Sequence, residues 1–323
     1  MAGLAAIPPS RAVPLRAASG VAPVCAVLSA ACWGFGIVAA KAALHAGILP
    51  LTLIAVQLAA SVTVLSAMVI LVTRRVDWPG LAGTRDAALT GTLEYGATYT
   101  LAAFGLALTT TGNAAIIGTV EPALVVLAAA FILGERAGRG LLILLGLVTS
   151  GLFILTLPEI ETVGAPGAGD LLVLASAATG ALYAVLCRRL VARVPPLPLS
   201  LLQQIAGVLA VLAGIGVAAL AGRAPLGLTA LAPTAFALAV VSGLLQHSAA
   251  VWLHLHALKR MSAGSFAVFL ALMPIFALLG GNLALGEPIT APQLVGGVLI
   301  LAATIAAGRL MSRVARSKKG DHI

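Results

Sequence analysis

Long apolar runs alternate with short polar breaks between residues 21 and 310. A helix crossing the hydrocarbon core of a bilayer needs about 20 mainly apolar residues. Ten windows reach that length: 21–44, 50–73, 87–108, 113–134, 139–158, 169–188, 198–221, 229–256, 263–285 and 291–310. The breaks carry turn chemistry, as in Asp77-Trp78-Pro79-Gly80, Gly164-Ala165-Pro166-Gly167 and Val194-Pro195-Pro196. The pattern predicts an all-α integral membrane protein.

Composition points the same way. Apolar residues make up 61% of the chain and charged residues 9%, where soluble domains carry roughly 25% charged residues. So few charges cannot coat a surface in water, whereas lipid needs no such coat. The first window is longer than the ~7–15-residue apolar core of a cleaved signal peptide, so it reads as an uncleaved span.

The net charge of +9 would suggest nucleic acid in a soluble protein. Here its distribution gives another reading. All 19 lysines and arginines except Lys41 and Arg223 lie in the terminal segments or in the loops near 74–86, 135–139, 188–193 and 259–260. The opposite loops hold Glu159, Glu161, Asp170 and Glu287. Basic loops stay in the cytoplasm. Positive charge therefore sets orientation, both termini lie inside, and the number of spans is even, as ten is. No nucleic-acid partner is expected.

The chain also repeats itself. Ser29-Ala30-Ala31 recurs as Ser176-Ala177-Ala178, and at the same offset of 147 Lys41 matches Arg188 and Gln57 matches Gln204. Further on the offset is 152: Gly112 matches Gly264, Pro122 matches Pro274, and Gly134-Glu135 matches Gly286-Glu287. The change fits an insertion between the second and third helices of the second half. Each half then has five spans, and an odd number inverts one half relative to the other. The expected fold is ten transmembrane helices as two inverted five-helix repeats, a signature of secondary transporters. The expected organisation is a cytoplasmic tail over 1–20, repeats over 21–158 and 169–310, and a basic cytoplasmic tail over 311–323.

At these residues the sequence resembles the EamA family of the drug/metabolite transporter superfamily. The resemblance rests on Ala257-Leu258, Ser262-Ala263-Gly264, Met273-Pro274 and Gly286-Glu287, echoed by Thr110-Thr111-Gly112-Asn113-Ala114-Ala115, Glu121-Pro122 and Gly134-Glu135. It implies a ten-helix exporter-like carrier. Its central cavity is lined mainly by helices 1, 3, 4, 6, 8 and 9, with helices 5 and 10 at the edge. The family does not fix a substrate. The acid that smaller relatives use for proton coupling in their first helix has no counterpart here.

Ionisable groups inside lipid cost about 2.5–3.5 kcal/mol on insertion scales, so they face protein or water. Glu94 in the third window and Glu121 in the fourth are such groups, and neither is matched in the other half. Glu94, Tyr95, Thr98 and Tyr99 share one helix face, a surface suited to a cationic or amphipathic solute; interhelical hydrogen bonding is the alternative. His247 is a candidate proton relay or cavity donor, and Trp33 and Trp252 are candidate lining residues. His254 and His256, near Lys259-Arg260, read as interfacial, and Lys41 as reaching toward the interface. Glu135 and Glu287 read as caps on the next helix. No His or Cys pair has zinc-ligand spacing, and Cys25, Cys32 and Cys187 form no disulfide framework. No metal or cofactor is expected.

The expected function is a secondary transporter of the inner (plasma) membrane. It would export small metabolites, amino acids or drug-like solutes by alternating access, with proton exchange as a candidate driving force. Its partners are a small-molecule solute and membrane lipids, with room for a homodimer. The alternatives are a membrane-embedded hydrolase-type enzyme, for which no nucleophile motif is present, and a non-transporting membrane scaffold.

Overall fold

The computed structural model of the chain describes residues 21–72, 79–109, 111–135, 137–165, 167–220 and 232–320. All regular structure among the described residues is helical. In the first half, α1 is Val21–His45, α2 Pro50–Val72 and α3 Leu81–Gly91; a π-helical turn, Thr92–Thr98, leads into α4, Tyr99–Leu108. Then come α5 (Thr111–Gly118), α6 (Glu121–Leu133), α7 (Arg139–Leu155) and a 3-10 turn, Leu157–Thr162. The second half follows with α8 (Ala168–Leu190), α9 (Pro196–Leu220) and α10 (Pro233–Gly243). A second π-helical turn, Leu244–Ala249, precedes α11 (Ala250–Leu258), α12 (Ala263–Leu270), α13 (Met273–Leu285) and α14 (Ala291–Gly320).

Eight stretches are long and apolar enough to cross a membrane. The predicted windows 87–108 and 139–158 are not among them. The helical stretch 81–108 is long, but Arg85, Asp86, Glu94 and its tyrosines and threonines dilute it; α7 has only 17 residues.

The two halves share their irregularities as well as their helices. Each has a π-helical turn, over Thr92–Thr98 and Leu244–Ala249. Each has a helix that stops and restarts, before Glu121 and before Met273. Pro122 and Pro274 explain the breaks: proline lacks an amide hydrogen and its ring excludes the carbonyl four residues back, yet it fits a helix's first turn. Gly134 (φ 66°) and Gly286 (φ 70°) end α6 and α13 in the left-handed conformation that favours glycine. The offset change falls between α9 and α10, where the proposed insertion lies at 221–231, outside the described residues.

Contacts between the halves obey the same correspondence. The Ser29 hydroxyl donates to the Ala250 carbonyl (2.8 Å), and the matching Ser176 hydroxyl donates to the matching Thr98 carbonyl (2.9 Å). Gly91 lies against the backbone of Gln203, and its match Gly243 against the backbone of Gln57, one residue past the position that matches Gln203. Helix α1 packs on α10, α11 and α13 of the second half, while α8 packs on α4 and α6 of the first. Helices α7 and α14 pair with each other through Gly151 and Gly296.

The ion pairs match too, and they correct two expectations. Lys41 does not reach for the interface alone: its Nζ lies 2.5 Å from Glu287 Oε1. Its counterpart Arg188 places Nε 3.6 Å from Glu135 Oε1. Glu135 does cap a helix, but one in the other half, since its Oε2 accepts from Ala263 N (3.2 Å). Ser262 caps the same helix, accepting from Ser265 N (3.1 Å). Arg11, Arg16, Arg74, Arg75, Arg136 and Arg223 of the charge pattern lie outside the described residues, as do the side chains of Arg313, Arg316, Lys318 and Lys319.

Candidate functional site

The site forms where α8 crosses the π-helical turn Thr92–Thr98 and the broken end of α6. Glu94 lies in that turn, and Glu121 opens α6 directly after the break. A Cβ on Gly180 of α8 would stand 3.7 Å from Glu121 Oε1 and 3.6 Å from Thr98 Cγ2. Thr98 donates to the Thr179 hydroxyl at 2.9 Å. Glu94 and Glu121 are close enough for their charges to interact. Glu94 Oε2 is buried without a hydrogen-bond partner. An ionised carboxylate in that state is costly, so it calls for a proton, a cation or a polar solute to complete it.

An aromatic wall adjoins the acids. Tyr95 and Tyr99 are stacked, with ring centroids 5.8 Å apart and planes inclined by 7°. His247, from the second π-helical turn, sets its ring edge to face against both, with centroids at 5.6 Å. Gln204 of α9 ties the two turns together: its amide donates to Tyr95 Oη (2.5 Å) and to the His247 carbonyl (2.9 Å). His247 Nε2 lies 3.4 Å from Gln57 Oε1, and Gln57 donates to the Ser242 hydroxyl at 2.8 Å. His247 Nδ1 is buried and unpartnered.

Glu94, Tyr95, Thr98, Tyr99, Glu121 and His247 are thus brought together, from elements distant in sequence. Trp33 and Trp252 are placed elsewhere. Trp33 meets His254 edge to face at 5.4 Å, and Trp252 meets His256 at 4.5 Å. His254 is not interfacial. It is 2% exposed, between Trp33, Tyr183 and Phe266, with both ring nitrogens unpartnered. It lies seven residues after His247, yet the π-helical turn that holds His247 changes the helical register between them.

Sequence reasoning missed Thr179, Gly180, Tyr183 and Gln203. Gln203 donates to Thr90 (2.9 Å) and Cys187 (3.1 Å) and accepts from Tyr183 (3.3 Å). The one signal was the presence of glutamines in apolar windows, which the Gln57–Gln204 match only partly exploited. No group of acids, histidines and cysteines able to hold a metal occurs among the described residues. A cavity of about 400 Å³ lined by Val56, Thr63, Phe236 and apolar neighbours shares no residue with the cluster.

The sequence profile described as the EamA-like transporter family matches residues 21–157 and again 167–308. A solved crystal structure of another protein superposes on 90% of this chain and 98% of its own, with a TM-score of 0.75 at 18% identity. No curated protein matches the sequence.

Proposed function

The chain belongs to the EamA-like transporter family, and on that footing we propose that it is a secondary carrier exporting a small metabolite, amino acid or drug-like solute by alternating access. In this reading ten spans cross the cell inner membrane with both termini in the cytoplasm. The repeats over 21–158 and 169–310 lie upside down relative to each other. Membrane lipids cover the outer faces, and a homodimer is compatible with them.

The observation that carries the reading is the pair of unshared acids between the halves. Glu94 and Glu121 are absent from the matching positions, which hold Gln246 and Met273. A shared scaffold does not need them, so their burial serves something particular to this path. Broken helices at matching positions in two halves mark the sites of many carriers. Glu94, Thr98 and Glu121 hold the polar or cationic part of the solute; Tyr95, Tyr99 and His247 hold its apolar or aromatic part. A proton or a cation between the acids offsets their repulsion, which makes proton exchange the natural driving force.

The test is flux in proteoliposomes. A panel of amino acids, aromatic amines and quaternary ammonium compounds is followed with and without a pH gradient. Gradient-dependent flux is expected for a cationic or zwitterionic member, with Glu94→Gln and Glu121→Gln each losing it while still folding. Flux that ignores both substitutions would refute the assignment of the acids.

A further inference from the structure

The correspondence between the halves exposes an asymmetry in the path. At one end Trp33, Tyr183 and Phe266 converge on His254. His254 and Phe266 ring centroids are 4.5 Å apart, His254 and Trp33 5.4 Å, and His254 and Tyr183 6.0 Å. Tyr183, His254 and Phe266 are 3%, 2% and 1% exposed. By the offsets of 147 and 152, the matching residues are Gly180, Gly36, Ala102 and Ala114. Four rings at one end therefore face four small residues at the other. Symmetric halves would fill both ends alike, so this difference is a property of the individual chain.

The matched ion pairs flank these two ends. Arg188 follows Tyr183 by about one helical turn, and Glu135 caps the helix that carries Phe266. That pair is closed in, with side-chain exposures of 17% and 25%. Lys41, about one turn beyond Gly36, and Glu287 stand at 49% and 43%. The acids lie toward the end with the small residues, since a Cβ on Gly180 would stand 3.7 Å from Glu121 Oε1. The ringed end is also the basic end, with Arg189, Arg193, Lys259 and Arg260 close in sequence, and is therefore the cytoplasmic one.

We propose that Trp33, Tyr183, His254 and Phe266 form a closed cytoplasmic gate, latched by Arg188–Glu135, and that the acidic site opens to the opposite side past Ala102, Ala114 and Gly180. The four rings come from α1, α8, α11 and α12, so no single helix can carry the gate. Three of these helices belong to the second half, so movement of the first half against it draws Trp33 away from the other three rings. His254 has no hydrogen-bond partner to hold it against Trp33, and the Tyr183–Gln203 bond lies within the second half. This inference rests on the carrier reading, but its test needs no solute.

Single cysteines are placed at Ala102 or Ala114 in a chain whose Cys25, Cys32 and Cys187 are replaced by alanine. Labelling by a membrane-impermeant methanethiosulfonate is then timed in right-side-out and inside-out vesicles. Minor conformations are typically 0.1–10% populated, so labelling from the cytoplasmic side should be at least about tenfold slower than from the outside. Trp33→Ala or Phe266→Ala should raise the cytoplasmic-side rate severalfold. Should these core variants fail to fold, Arg188→Gln tests the latch, and the two-sided comparison in the unaltered gate stands alone. Conversely, Ala102→Trp should shield a cysteine at Ala114 from the outside. Equal or faster cytoplasmic labelling with the gate intact overturns the proposal, as does a rate unmoved by loss of a ring in a folded protein. An absence of flux in liposomes would count against the carrier reading and leave these labelling rates untouched.

Discussion

Gly243→Ala isolates the contact between the halves that positions His247. A Cβ at Gly243 would lie 2.5 Å from both Cα and the carbonyl oxygen of Gln57. These are backbone atoms, so no rotamer change relieves the clash. Restoring contact at ~3.5 Å requires α2 to retreat by about 1 Å. Such overpacking costs about 1–3 kcal/mol, while replacing a helical glycine by alanine returns up to about 1 kcal/mol. The retreat also stretches the Gln57–Ser242 hydrogen bond, worth about 1 kcal/mol. The net loss is about 2 kcal/mol. At roughly 2–4 °C per kcal/mol for a chain of 150–250 residues, the melting temperature should fall by about 4–8 °C in a detergent thermal-shift assay. Gly91→Ala, whose Cβ would lie 2.2 Å from the Gln203 carbonyl oxygen, should behave alike. Gly146→Ala and Gly214→Ala meet nothing within 4 Å and should hold or raise it. If Gly91→Ala and Gly243→Ala melt at or above the level of those controls, the close approach of the halves is not as described.

Gly134→Ala and Gly286→Ala place a side chain at φ 66° and 70°; each should cost roughly 1–2 kcal/mol, with asparagine milder, read as paired melting shifts of similar size. Glu135 gives a pH signature. Burial raises its carboxyl above the usual range, although the Arg188 guanidinium and the amides of Ala263 and Gly264 pull the other way. A folded-state value above the unfolded one means that its contribution is fully present at acid pH and is lost as pH rises through the raised value. Glu135→Gln should flatten the fall in melting temperature over that range; an unchanged profile would show that Glu135 does not titrate there.

Much of the fold was written in the sequence because lipid imposes a strong and simple rule. Every span must be an apolar helix about 20 residues long, so eight of the ten windows, the repeat offsets and the Gly-Glu ends could be read from spacing alone. The acids were legible for the same reason, as charges where none are cheap. Tertiary structure decided what spacing cannot encode. The π-helical turns shift the register within a helix and carry Glu94 and His247 into one cluster while sending His254 to another. The exchange of contacts between halves makes Lys41 and Arg188 partners of Glu287 and Glu135, and makes Trp33 part of an aromatic cluster away from the acids. Those outcomes depend on which helices touch. Among uniformly apolar rods, contact is set by close fits such as Gly91 on Gln203 and Gly151 on Gly296, because lipid tails are as apolar as the helices and give the sequence no hydrophobic stripe to mark the buried face.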